Sequence, residues 1–419
     1  MSSQVKKQNV LKRKPGFNTQ SFPRCGGGLV LALALLNPAC ALFQQEEPTV
    51  AANTTTHSYL YVSTYDYDSF LAQKLLAFEV DRTTGVPTYI SSVNDLSSAQ
   101  NPVVLNGYLY INSRGEDKIR VFKIDPETGA LTDETAASGD AVTGIYMGSE
   151  LVADPESGIL AIAFSEGSTD GVKKVKFLQQ NPDTGVLTQV GASPSSAGTS
   201  GVPDALAFAQ DLSQLLISAS TDSGSGQLGI GSADIALGTY SSAGIRGLRV
   251  GALFAYPGTS FLIASQAAGG IGTYAIPMGL GSSTVSFEAS DLAFYFAKHP
   301  SLDVLYAAGS ATGIFAYNFN TTTGALTSLN QAGGLVAISE PYADEGLAVL
   351  SNGKFAYASH YDYDPTSDSV NNTRIEFYPL NAETGAFEDG ATTVDISGAG
   401  LAPEDSLRFM TIADFEIEE

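Results

Sequence analysis

The stretch Phe122-Lys123-Ile124-Asp125-Pro126-Glu127-Thr128-Gly129-Ala130-Leu131-Thr132 is one copy of a pattern that recurs along the chain. An alternating apolar strand runs into Asp or Asn, then Thr-Gly, then an apolar residue and often Thr. The glycine supplies a positive φ and the Asp or Asn side chain caps the turn, so each copy reads as a hairpin between two antiparallel strands. Four further copies begin at Phe78, Phe177, Tyr317 and Phe377, with turn glycines Gly85, Gly185, Gly324 and Gly385. Two degenerate copies, Leu237-Gly238-Thr239 and Ile276 to Gly281, fill the gap between Gly185 and Gly324. The seven turn glycines then lie 43 to 61 residues apart, a repeat length that indicates stacked structural units.

A second hairpin precedes each copy by a regular interval. It is visible at Leu105-Asn106-Gly107-Tyr108, Asp154 to Gly158, Asp211 to Gln214, Pro257-Gly258-Thr259, His299 to Asp303 and Leu350 to Gly353. Each unit therefore reads as four short antiparallel strands, A to D, which is the blade of a β-propeller. The first unit has B and C strands at Tyr59–Thr64 and Leu75–Asp81 but no A strand before them. A strand-like segment, Leu407–Phe415, is left over at the C-terminus. Pairing that segment into the first unit closes the ring and covers both sheet edges. The expected fold is all-β: a seven-bladed β-propeller of four-stranded antiparallel blades over residues 58–419, closed by the C-terminal strand.

The strand-Asp-x-x-Thr-Gly-x-Leu-Thr repeat, the Tyr108-Leu109-Tyr110 type of B strand and the C-terminal closure resemble the seven-bladed lactonase family with YVTN-type repeats, which includes bacterial 6-phosphogluconolactonase and cycloisomerase-type relatives. The resemblance covers residues 58–419 and rests mostly on turns. It implies the propeller fold and, as an activity, hydrolysis of a lactone ring.

Composition narrows the partners. The sequence carries 44 acidic and 21 basic residues, a net charge of −23. Six of the basic residues precede the first acid, Glu46, so the remainder holds 15 basic against 44 acidic residues, a net charge of −29. Phosphate backbones and anionic lipid heads repel such a body, which excludes nucleic acid and direct membrane-surface binding as expected partners. Residues 1–40 read as a signal peptide: a basic start, an apolar run from Gly26 to Leu36, then small residues around Cys40. Leu36-Asn37-Pro38-Ala39-Cys40 fits a lipoprotein box with lipidation of Cys40, and Ala39-Cys40-Ala41 equally fits soluble secretion. The polar stretch 41–57, which includes His57, suits a tether. The expected product is a monomer in the periplasm or on the outer membrane, held to the membrane only by its lipid, or else a secreted soluble protein. No cysteine follows Cys40, so the body has no disulfide and no thiolate metal site.

Function in a propeller is expected at the face carrying the B–C loops and D–A crossovers. Tyr-Asp-Tyr-Asp occurs there twice, at 65–68 and 361–364, in the first and seventh units, which ring closure makes neighbours. Asp66, Asp68, Asp362, Asp364 and Asp368 are candidate oxygen ligands for a hard cation such as Ca²⁺; the same residues read equally as solvated acidic loops. Acids also start inner strands, at Asp204, Asp291, Asp344, Glu345, Glu404 and Asp405. A lactonase needs a general base and cationic donors. His360 is the histidine on this face, with Arg114, Arg246 and Arg408 as cations in reach; as a loop residue His360 reads equally as an ordinary exposed histidine. His299 falls on an A–B turn at the opposite face. An exported protein with an acidic mouth is expected to bind a small molecule, a carbohydrate or a protein partner rather than hydrolyse an anionic sugar lactone. Lactone hydrolysis is the alternative. A compact pocket joining His360 to an arginine would favour the hydrolase, and an open acidic rim the binding module.

Overall fold

The computed structural model describes residues 54–66, 73–146, 148, 150–167, 173–191, 193, 203–208, 214–219, 229–234, 239–242, 252–265, 270–275, 283–284, 293–309, 313–329, 343–364, 369–388, 390–401 and 405–418. The described residues all lie in one unit, Ala52–Glu419. Among them, the strands assemble into seven four-stranded antiparallel sheets. The first contains Thr54–Asp66, Gln73–Val80 and Pro87–Leu96, with Asp405–Glu418 hydrogen-bonded to the free edge of Thr54–Asp66. The others follow in chain order, each a meander whose neighbouring strands are consecutive in sequence. Their inner strands are Ala99–Leu105, Leu151–Asp154, Pro203–Phe208, Leu253–Ala255, Ala293–Lys298 and Ala343–Val349. The protein is an all-β propeller of four-stranded antiparallel blades, and we number the sheets as blades 1 to 7 from the N-terminus.

The repeated turn explains why these residues build blades. Asp125 Oδ1 accepts from the backbone N–H of Glu127 (3.0 Å) and Thr128 (2.9 Å), and Gly129 N–H closes the turn on Asp125 O at 2.8 Å. Asp81, Asn181, Asn320 and Asn381 repeat the same pair of bonds. Gly129 has φ 68°, and a Cβ there would fall inside the ring of Tyr59 in the preceding blade. Its carbonyl accepts the Tyr61 hydroxyl at 2.9 Å. Each turn is thus also a joint between blades. Tyr110 reaches Gly185 O (2.9 Å), Tyr306 reaches Gly385 O (2.6 Å), and Tyr357 of blade 7 reaches Gly85 O of blade 1 (2.9 Å).

The core lies between the blades. Leu60, Leu76 and Phe78 of blade 1 pack with Leu350, Tyr357 and Ile375 of blade 7, while Tyr59, Tyr61 and Leu75 pack with Leu109, Ile111 and Phe122 of blade 2. Comparable clusters join blades 2 to 3, 3 to 4, 5 to 6 and 6 to 7. Burying each large side chain contributes about 1.5–3 kcal/mol, so stability is spread around the ring.

Two boundaries differ from expectation. The first strand begins at Thr54, which puts His57 in the sheet instead of a tether, opposite Phe415 and with its ring 6.4 Å from that of Tyr59. The closing strand is longer than Leu407–Phe415, running from Asp405 to Glu418, with a register shift between Val62 and Thr64. Both extensions come from one strand completing the hydrogen bonds of the other. The degenerate turns at Gly238 and Gly281 lie outside the described residues.

Candidate functional site

His360 is not in a loop. It belongs to the strand Phe355–Asp364 and is 1% exposed. The period of the strand sets its neighbours: Ala356, Ala358 and His360 share one face, opposite Tyr378, Glu376 and Arg374 respectively on the adjoining strand Ser369–Pro379. This face packs toward blade 6, where Tyr378, Ala356 and Ala358 meet Val304 and Tyr306. Glu376 Oε2 accepts the Tyr378 hydroxyl at 2.6 Å and lies 3.4 Å from His360 Nε2; Oε1 accepts from Arg374 Nε at 2.9 Å. His360 Nε2 is also 3.3 Å from the Tyr378 hydroxyl. Burial pushes the Glu376 carboxyl up, but the hydrogen bonds from Tyr378 and Arg374 and the charges of His360 and Arg374 outweigh it and hold the group below the ordinary glutamate value.

The histidine therefore has an acid to orient it and an arginine beside that acid. The arginine is Arg374, which sequence reasoning missed although it sits on the next strand opposite His360. Arg114 opens a short 3-10 turn, Arg114–Glu116, in the B–C connection of blade 2, as expected. Arg408 lies on the closing strand, where its carbonyl accepts the Ser359 hydroxyl at 3.1 Å. Arg246 lies outside the described residues.

The paired acidic motifs are also more regular than loops. Asp66 ends the first strand, opposite Asp405, while Asp362 and Asp364 pair with Asn371 and Ser369 in a hairpin that extends past His360. Hairpin pairing continued further than the turn signals suggested because Tyr-Asp-Tyr-Asp keeps the period-2 alternation of a strand. Asp68, Asp368 and Cys40 lie outside the described residues, as do the side chains of Asp66, Asp362 and Asp364. Among the described residues no three His, Cys, Asp or Glu side chains converge.

A second feature was not anticipated. The inner strands of blades 2 to 6, with the A–B turns of blades 3 and 5, line an open central cavity of about 630 Å³, bordered by residues that include Val103, Glu150, Leu206, Phe254 and Phe296. Tyr295 of blade 6 also borders it and makes an edge contact with Phe409 of blade 1, their ring centroids 5.6 Å apart. Blade 7 separates these two blades in the ring, so the rings meet across the channel. The charged residues of the wall are Glu150, Asp154 and Glu156; no Lys, Arg or His lines it among the described residues. Glu150 immediately precedes the inner strand of blade 3, on the face where the crossovers arrive. Its Oε2 accepts the Leu206 N–H at 2.6 Å. Removal from bulk water pushes its pKa up to about 8, against the opposing pull of that hydrogen bond. The signal that could have found it was present: an acid at the start of an inner strand, as at Asp204 and Asp344.

No protein-family model matches the chain, and no curated protein matches it. Solved structures do. A candidate 6-phosphogluconolactonase from Bacteroides fragilis aligns with TM-score 0.57 at 14% identity, covering 85% of this chain and 98% of its own. A second candidate 6-phosphogluconolactonase, from Bacteroides uniformis, aligns with TM-score 0.55 at 16% identity over 86% and 99%. A protein from Lactobacillus plantarum gives TM-score 0.57 at 12% identity over 86% and 100%. Likeness at such identities establishes the propeller fold.

Proposed function

We propose that this chain is an exported, lipid-tethered propeller of seven blades that binds a small ligand at its channel. One observation carries the reading: the central cavity is large enough for a small molecule, and among the described residues its charged lining residues are all acidic. Such a wall attracts cationic or hydroxyl-bearing groups and repels anions. The seven sheets, with Tyr357 bonded across from blade 7 to Gly85 of blade 1, support the blade count.

Lactone hydrolysis is the second reading, favoured by the names of two structural neighbours and by the His360–Glu376–Arg374 cluster. A phosphorylated sugar lactone is an anion, which the cavity's acids disfavour. A general base also has to reach its substrate, whereas His360 is 1% exposed between blades 6 and 7.

The two readings separate in one experiment. Purified residues 41–419 are screened by thermal shift against amines, neutral sugars and anionic sugars, and in parallel assayed for proton release with glucono-δ-lactone and 6-phosphogluconolactone. A cationic or neutral compound raising the melting temperature, with lactone turnover at the spontaneous rate, is the expected result. Turnover above that rate, lost in His360→Gln, replaces the binding reading with the hydrolase.

A further inference from the structure

The central cavity combines a carboxyl group with an apolar, aromatic wall, and that combination selects a ligand more narrowly than charge alone. Glu150 spends one oxygen on the Leu206 N–H, and no other partner holds its carboxyl group among the described residues. Glu150 is half-buried and shares the cavity wall with Val103, Leu206 and the half-buried rings of Phe208, Phe254 and Phe296, a setting that does little to stabilise an ionised carboxyl group. Phe254 and Phe296 stand beside one another with ring centroids 6.3 Å apart. They also border the hydrophobic cluster that joins blades 5 and 6, so packing fixes their positions.

Three classes of ligand can be compared against this wall. An anion would meet the carboxylates of Asp154 and Glu156 and find no Lys, Arg or His on the wall among the described residues. Lys298, whose ammonium sits 5.6 Å from the ring centroid of the wall residue Tyr256, is not itself among the residues that line the cavity. A bare metal ion needs several oxygen ligands, and no such group converges among the described residues. An organic ammonium ion satisfies both halves of the site, since its charge pairs with one carboxylate while its hydrocarbon part fills the apolar volume, with aromatic faces favouring the cationic head.

We propose that the central channel binds an organic amine, its ammonium group paired with the carboxylate of Glu150 and its carbon skeleton packed against Phe254 and Phe296. This rests on the reading of the channel as a ligand site and names the ligand class. The burial that raises the Glu150 pKa to about 8 adds a consequence. A carboxyl group so raised carries its proton at pH 7 before an amine docks, and pairing with an ammonium ion would ionise it, so binding is expected to release a proton to the buffer.

The test uses the folded body, residues 41–419, and three isosteric probes: benzylamine, benzyl alcohol and benzoate. Isothermal titration calorimetry at pH 7 is run in two buffers of different ionisation enthalpy. Benzylamine is expected to bind saturably with close to one proton released. Benzyl alcohol and benzoate should bind about tenfold more weakly or not at all, and Glu150→Gln should weaken benzylamine about tenfold or more. The comparison of probes on the unaltered protein stands even if the variant folds poorly, which its melting curve reports. Benzyl alcohol binding as tightly as benzylamine, or benzylamine binding the Gln variant equally well, overturns the amine assignment and leaves the channel as a ligand site. Absence of binding by all three probes and by the wider thermal-shift screen overturns both.

Discussion

Gly129 shows how a single residue serves the turn and the ring together. Its φ of 68° is the left-handed region, and the space a side chain would need is taken by Tyr59. Gly129→Ala should therefore cost more than a strained turn alone, about 2 kcal/mol or above, read as a lower midpoint in urea unfolding. Tyr357→Phe removes a buried hydroxyl from Gly85 O and leaves that carbonyl unpaired, a loss of about 1–3 kcal/mol by the same measurement. The turn glycines were legible in the sequence because their backbone requirement is local. Their second role was not, because the side chains that cover them come from the neighbouring blade: Tyr59 over Gly129 and Tyr108 over Gly185 lie far upstream, and Phe355 over Gly85 lies near the other end of the chain. Glu150 yields a prediction of opposite character. Its folded-state pKa of about 8 lies above the unfolded value near 4.5, so the folded state holds the proton more tightly. Its contribution is full below about pH 4.5 and is lost as pH rises toward 8. Glu150→Gln should consequently be more stable than the parent at pH 8 and show a smaller difference at pH 5, in paired denaturation curves. An equal difference at both pH values would mean that the carboxyl titrates normally.

At the scale of strands, the closing segment Asp405–Glu418 is the most exposed to a decisive test. It supplies the inner strand of blade 1, burying Leu407 and Ala413 and pairing from Thr54 to Asp66. Asp414 also accepts from Arg82 Nη1 at 2.6 Å, and that arginine reaches Ser351 of blade 7 at 3.1 Å. Deleting residues 405–419 exposes the edge of Thr54–Asp66 and strips this joint, so cooperative melting should disappear or fall by tens of degrees. An unchanged transition would refute closure by this strand. Architecture was readable here because a blade short of one strand and a strand without a blade imply each other. The location of His360 was not, since Tyr-Asp-Tyr-Asp carries turn-prone acids within a strand-like alternation, and composition favoured the loop while period favoured the strand. The pairing of Asp362 and Asp364 into that hairpin, beside blade 1 with Asp66, motivates a calcium test. Melting temperature is measured with Ca²⁺ and with chelator, then repeated in Asp362→Asn/Asp364→Asn. A rise of several degrees with Ca²⁺ that the double variant lacks is expected from a bound ion by linkage. Identical melting throughout would leave these residues as solvated acids.

For the whole molecule, the distribution of charge connects architecture to location. All six basic residues before Glu46 fall in the N-terminal segment, and the body that follows is strongly acidic. An acidic body is repelled by anionic lipid heads, so it would hold to a membrane poorly by its own surface. Among the described residues no helix is long and apolar enough to cross one. The proposed lipid tether would join such a body to a membrane through Cys40, which follows the apolar run and precedes the polar stretch. Two acyl chains at a single cysteine would supply the two anchoring signals that stable attachment requires. The prediction is a mature chain beginning at Cys40 with lipid mass on its first residue, recovered in the membrane fraction. Intact-mass spectrometry of protein expressed with its own leader measures this, and Cys40→Ala should move the protein to the soluble fraction without altering its melting temperature. A soluble, unmodified chain beginning at Leu42 would instead establish cleavage after Ala41 and a freely secreted propeller.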